Sequence, residues 1–121
     1  MLAEKDHLLQ FEHNVAVAQR LVDSADYDWA VTALFYACLH LAQAYLVRVG
    51  VLAETHVQRE RQMLRLPELS PILSTYRTLR DHSEDARYSG RRFTQAEFVS
   101  IHDGTFTAVV TRLRSLLEGQ Q

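Results

Sequence analysis

Nineteen consecutive residues, Trp29 to Val47, carry no formal charge. Ala and Leu dominate the run, so it favours a helix. Its apolar residues occupy nearly every side of the helical wheel. A helix that is apolar all round is either a buried core helix or a membrane span. The run is just long enough to cross a bilayer. Two features favour the core. Thr32, Tyr36, His40, Gln43 and Tyr45 are spread through it, and a lone bilayer helix holds few such groups. Only Arg48 follows it, without the Lys/Arg cluster that orients a span. A core helix of this kind needs amphipathic partners to cover it.

The rest of the chain supplies them. Leu8, Phe11, Val15, Ala18 and Val22 recur at three- and four-residue steps, predicting a first helix over about residues 3–24. A short acidic connection follows, in which Asp26 or Asp28 can cap the second helix. So short a link makes the two helices antiparallel neighbours. Gly50 is a stop signal for the second helix. Thr55 can cap a short third helix over about residues 56–66, with Arg59, Glu60, Arg61 and Arg65 expected on its exposed side. Ser70 as cap with Pro71 in the first turn predicts a fourth helix, to about residue 87. Tyr88 to Arg92 is a basic loop, and Thr94-Gln95-Ala96-Glu97 is a capping box. It opens a fifth helix to about residue 117, with Phe98, Ile101, Phe106, Val109, Leu113 and Leu116 in its stripe. Gly104 weakens its middle by up to about 1 kcal/mol. Gln120-Gln121 is expected to fray. No strand pattern or repeat occurs. The expectation is an all-α, antiparallel up-and-down helical bundle: four long helices and one short crossing helix, in a single domain over residues 1–121.

Charge is unevenly distributed. The net charge is −2, which gives no global nucleic-acid signature. Residues 1–28 hold six acids against Lys5 and Arg20, whereas residues 56–92 hold eight Arg against five acids. Twelve of the thirteen basic residues are Arg, whose planar fork suits phosphate and carboxylate. Genomic base composition alone can also favour Arg codons. The single cysteine, Cys38, excludes an intrachain disulfide and a cysteine-based zinc site. It reads as a small buried apolar residue. The charged start does not read as a signal peptide, so a cytoplasmic location and no membrane partner are expected.

Three groups of residues resemble a known family. They are Asp28-Trp29-Ala30-x-x-Ala33-Leu34-Phe35-Tyr36-Ala37-x-x-His40, then His56-x-x-Arg59, then Tyr76-x-x-Leu79-x-x-x-Ser83-x-x-Ala86-Arg87-Tyr88. Together they resemble the bacterial and archaeal HEPN (higher eukaryotes and prokaryotes nucleotide-binding) domains, over about residues 5 to 115. The resemblance implies a bundle of four or five helices, often a homodimer. Many members of that superfamily are metal-independent ribonucleases, toxins or defence proteins. Others are binding modules, or pair with a nucleotidyltransferase-like partner. The ribonuclease members carry an Arg and a His a few residues apart, and Arg77 and His82 give such a pair. Thr78 follows Arg77, where active members usually carry Asn, Asp or His. His82 would transfer a proton and Arg77 would stabilise charge on the phosphate. Five residues of unbroken helix turn direction by about 140°. The two would share a site only across a helix break or a dimer.

A second constellation favours binding over catalysis. Tyr76, Ser83 and Arg87 share a helical face, with Tyr88 following. His56 and Arg59 lie one turn apart. If these two groups face each other, they make a polar pocket with aromatic walls, suited to a phosphate or an unpaired base. The expected function is therefore a nucleotide- or RNA-binding or protein-interaction module acting as a homodimer. The alternative is a metal-independent endoribonuclease of toxin or defence type. An antitoxin or nucleotidyltransferase-like protein is the expected heterologous partner. No cofactor is expected, and no Asp, Glu or His group has convincing metal-ligand spacing. Simpler structural roles compete at each position. Tyr36, His40 and Gln43 can form a core hydrogen-bond network. His56 and Arg59 can be a surface pair, and Arg87 can satisfy carbonyls at its helix end. The fourth or the fifth helix is expected to contribute to a dimer contact, since each also carries an apolar residue off its main stripe, Leu73 and Leu117.

Overall fold

The uncharged run becomes the central helix of the fold. The computed structural model describes residues 2–119, so the Gln120-Gln121 end lies outside the described residues. Helix α1 spans Glu4–Asp23 and α2 spans Tyr27–Arg48. They are followed by α3 (His56–Arg65), α4 (Ser70–Tyr88), α5 (Gln95–Ser100), a π-helical segment (Ile101–Phe106) and α6 (Thr107–Gly119). The fold is all-α, as the sequence implies. Helix α2 packs against α1, α4, α5, the π segment and α6. Fourteen of its 22 residues are buried, which is why it needs apolar residues on nearly every side. It is long and apolar enough to cross a membrane, but 78% of its most apolar window is buried inside the protein. Cys38 is fully buried among apolar residues, and burial pushes its thiol pKa up.

Local signals set most helix ends. Thr55 Oγ1 accepts from Gln58 N at 3.1 Å, and Thr94 Oγ1 accepts from Glu97 N at 3.1 Å. Glu97 Oε1 in turn accepts from Thr94 N at 2.9 Å, which completes the capping box. Each such cap is worth about 1 kcal/mol. Asp26 occupies the cap position of α2, but its side chain makes no capping bond. Ala25 takes a left-handed conformation, φ 57°, to end α1. Asp26 N donates to Leu21 O at 2.8 Å, closing the turn. Ser70 is not a cap. It is the first residue of α4, with Leu69 before it, because Ser70 N donates to Leu66 O and continues the preceding turn.

The fifth predicted helix is interrupted. The apolar spacing explains why. Phe98 and Ile101 are three apart, and Val109 and Leu113 are four apart, but Ile101 and Phe106 are five apart. An unbroken α-helix would swing Phe106 about 140° off the stripe. The π segment replaces i→i+4 bonding locally with i→i+5 bonding. Ile101, Phe106, Val109 and Leu113 are consequently all buried. Gly104 sits inside this segment. Leu73 and Leu117 are buried within the chain itself, so neither is free for a dimer contact. The large apolar side chains that are exposed are instead Leu2, Leu9, Trp29, Leu52, Val57, Leu64, Tyr88 and Val99. At the end of α2, the Arg48 guanidinium binds Glu4 on α1 and the carbonyl of Leu117 on α6.

Candidate functional site

Phe35 joins the core to the polar surface beside it. Its ring is fully buried and lies 5.3 Å from Tyr36, 5.5 Å from Tyr76 and 6.0 Å from His56, centroid to centroid. One aromatic side chain on α2 thereby positions one polar ring from each of α2, α3 and α4.

Arg87 reaches over this cluster from the last turn of α4. Its Nη1 donates to Tyr36 Oη at 2.8 Å and to Tyr88 Oη at 3.3 Å. The guanidinium carbon lies 5.4 Å from the Tyr36 ring centroid and 4.8 Å from that of Tyr88. Only Arg87 Nε makes the capping-type contact, to Ser83 O at 3.3 Å. The main partner is therefore Tyr36, a residue the sequence suggested only for a core network. Arg59 comes from α3. It is buried, donates from Nε to Gln43 Oε1 at 3.0 Å, and has Nη1 3.3 Å from His56 Nδ1. Gln43 is fixed in turn by donating to Ala53 O at 3.0 Å.

Electrostatics follow from this geometry. His56 is pushed below its ordinary pKa by burial, and next by the charges of Arg59 and Arg87. Glu60 opposes that shift and Arg80 adds to it. Among the described residues, no carboxylate lies within ion-pair distance of Arg59 or Arg87. Arg48 is paired with Glu4, Arg77 and Arg80 with Glu60, and Arg91 with Glu97. Among the described residues, Arg20, Arg61, Arg65, Arg92 and Arg114 also lack a carboxylate partner but are exposed to solvent, whereas Arg59 is buried.

The remaining candidates are dispersed. Tyr76 and Ser83 are fully buried, so they stand behind the polar seam and do not line its surface. Tyr88 is exposed and rests on Arg87. Arg77 Nε donates to Glu60 Oε1 at 2.8 Å, on the α3 side of its helix. His82 lies edge-on to Phe93, 5.9 Å away. Burial, then Arg91, holds its pKa down. Helix α4 is unbroken between them, so a single chain does not bring Arg77 and His82 together. The sequence placed Arg59 and Glu60 on the exposed side of the third helix, but both are buried, because they share the face of α3 that carries Met63. The signal for Glu60 was its place three residues before Met63.

A family model of the HEPN domain matches residues 5–105. The chain belongs to the HEPN domain family. The match spans α1 to α5 and most of the π segment, so it takes in the whole polar seam. A search of the curated proteins returns no match. Within this HEPN domain, α2 supplies Tyr36, His40 and Gln43, α3 supplies His56 and Arg59, and α4 supplies Arg87 and Tyr88. Among the described residues, no three of His, Cys, Asp and Glu are grouped to hold a metal ion.

A histidine pair extends the seam toward α1. His7 Nδ1 and His40 Nδ1 are 3.0 Å apart, so one ring must donate and the other accept. Burial, then the neighbouring His7 and Arg59, pushes His40 down to about 4 from its ordinary 6.5. His7 is lowered too, by burial first and Arg59 second, with Asp6 opposing. These rings stay neutral in the fold and take up protons more readily once unfolded. Their contribution is complete above about pH 6.5 and is lost as pH falls toward about 4. The thermal midpoint of this HEPN domain should therefore drop between pH 7 and pH 5, and His40→Gln should flatten that drop. A midpoint that rises over this interval would contradict the assignment.

Proposed function

We propose that this HEPN domain is a cytoplasmic module that binds a phosphate-bearing ligand, a nucleotide or single-stranded RNA, and acts as a homodimer. One observation carries the binding reading. Arg59 and Arg87 flank His56 without a carboxylate partner, although the chain as a whole is acidic. A buried guanidinium without a counter-charge is costly. An incoming phosphate supplies that counter-charge and accepts from the planar fork of each Arg. Tyr36 and exposed Tyr88 add aromatic faces beside the charge, where a base can stack. Exposed Leu52, Val57 and Leu64, around α3, support a contact between copies. Light scattering that finds only monomer at high micromolar concentration would remove that part of the proposal.

The catalytic alternative assigns RNA cleavage to Arg77 and His82. Arg77 is engaged by Glu60 and His82 packs on Phe93, so the geometry of one protomer favours binding. The binding reading is tested by salt. Two phosphate contacts to a single strand predict a slope of log K against log salt of about −1.4. Fluorescence anisotropy with a labelled single-stranded RNA, from low to physiological salt, measures it. Absence of binding to both RNA and mononucleotide at low salt would leave a protein-partner role.

A further inference from the structure

Trp29 is the one tryptophan in the chain, and it is 52% exposed on the first turn of α2. Nothing in the core requires it there. Trp29, Ala33, Tyr36 and His40 of α2 are not fully buried and fall at steps of four, three and four, which is one helical face. An open cleft of about 410 Å³ runs beside this face from Trp29 to His40, walled by α1 residues such as Asn14 and Val17. A second cleft, of about 350 Å³, continues from His40 to Gln43 and Arg59. The two meet at His40. They form one groove along α2 from Trp29 to Gln43, about 21 Å long at the rise of an α-helix. Tyr36, which holds Arg87, lies midway, about 10 Å along the axis from Trp29.

The groove therefore presents the exposed Trp29 ring at one end and the Arg59 guanidinium at the other, and Tyr36 holds the Arg87 guanidinium beside its middle. We propose that it is the track of a single-stranded oligonucleotide, with Trp29 stacking one base while Arg87 and Arg59 hold phosphates further along the strand. This rests on the phosphate-binding reading above and narrows its ligand from nucleotides in general to a chain of them. A single nucleotide seated at Arg87 leaves Trp29 bare, whereas a strand covers both. Stacking tolerates any base because each has a π face. Among the described residues that line the groove one is acidic, Glu54, in the same cleft as Arg59.

Trp29 also reports its own occupancy, because the intrinsic tryptophan fluorescence of the chain comes from it alone. The full chain is titrated at low salt with an eight-nucleotide single-stranded RNA and, separately, with AMP. The octamer is expected to quench the emission, and AMP at saturation to leave it unchanged. Trp29→Ala should weaken octamer binding, read by anisotropy, about fivefold to a hundredfold, and Trp29→Phe should restore part of it. AMP binding, read by calorimetry, should be the same in Trp29→Ala as in the wild type. Equal octamer affinity in wild type and Trp29→Ala would overturn the track while leaving the phosphate site intact. If Trp29→Ala instead dissociates a dimer and octamer affinity holds, the Trp29 end is a face between copies. If neither ligand binds, or Arg87→Ala binds both as the wild type does, the phosphate site falls and the track with it.

Discussion

Leu46→Asp is expected to give a chain that does not fold. Leu46 is fully buried on α2, in the part of that helix enclosed by its neighbours. Truncation to alanine there costs about 2–5 kcal/mol through lost transfer energy and the cavity left behind. A carboxylate at the same place must either stay charged in an apolar interior or take up a proton against its ordinary pKa. Either cost adds to the lost packing, against a total stability of about 5–15 kcal/mol for a typical domain. Leu46→Ala should melt cooperatively, at a midpoint roughly 10–20 °C below the wild type. Leu46→Asp should show no cooperative transition. A Leu46→Asp protein that melts like the wild type would mean that α2 is not the core. Recovery of the wild type only from detergent-extracted membranes would mean the same.

The second large effect is expected at Arg87. Arg87→Ala should weaken binding of single-stranded RNA or nucleotide about tenfold to a hundredfold at low salt, the worth of one charge-assisted hydrogen bond. It should also make the salt slope for RNA shallower by about 0.7, since one phosphate contact is gone. Arg87→Lys keeps the charge and loses the fork, so an intermediate affinity is expected. The fold should survive, because each of Arg87's bonds to Tyr36 and Ser83 is worth about 1 kcal/mol. Arg77→Ala is the control. That guanidinium is occupied by Glu60, and its removal should leave affinity near the wild-type value. Anisotropy titrations of the three variants, with circular dichroism to confirm helicity, decide the matter. Wild-type affinity in Arg87→Ala would remove Arg87 from the site.

What could be read from the sequence was local or periodic. The central helix announces itself by its lack of charge, and Thr55 and Thr94 by capping patterns that span only a few residues. Ser70 misled because the same residue that can cap a helix can also continue the turn before it. The π segment was hidden for a related reason. The five-residue step from Ile101 to Phe106 passes unnoticed when the surrounding steps fit an α-helix. The site was less legible because its bonds are long-range. Arg87 and Tyr36 are 51 residues apart in the chain, and Arg77 and Glu60 are 17 apart. Periodicity places each residue on a face of its own helix, but says nothing of which face it meets. Spacing put His56 and Arg59 one turn apart and Arg87 on a face of its own helix, and the structure brings Arg59 and Arg87 close enough to His56 to depress its pKa. Tyr76 and Ser83, grouped with them, share the helical face of Arg87 and lie too deep to touch a ligand.

The π segment from Ile101 to Phe106 also bears on how the length of the chain can vary. It holds one residue more than the regular coil on either side requires. Taking out Gly104 would bring Ile101 and Phe106 to a four-residue step and let α5 and α6 merge into one continuous rod, still with the same side chains facing α2. Most helices seated in a core have no such tolerance, because losing a residue rotates everything beyond it. Here the last stave carries a removable link. Its length can change by one residue at that point while the polar seam, built on α2, α3 and the end of α4, stays where it is.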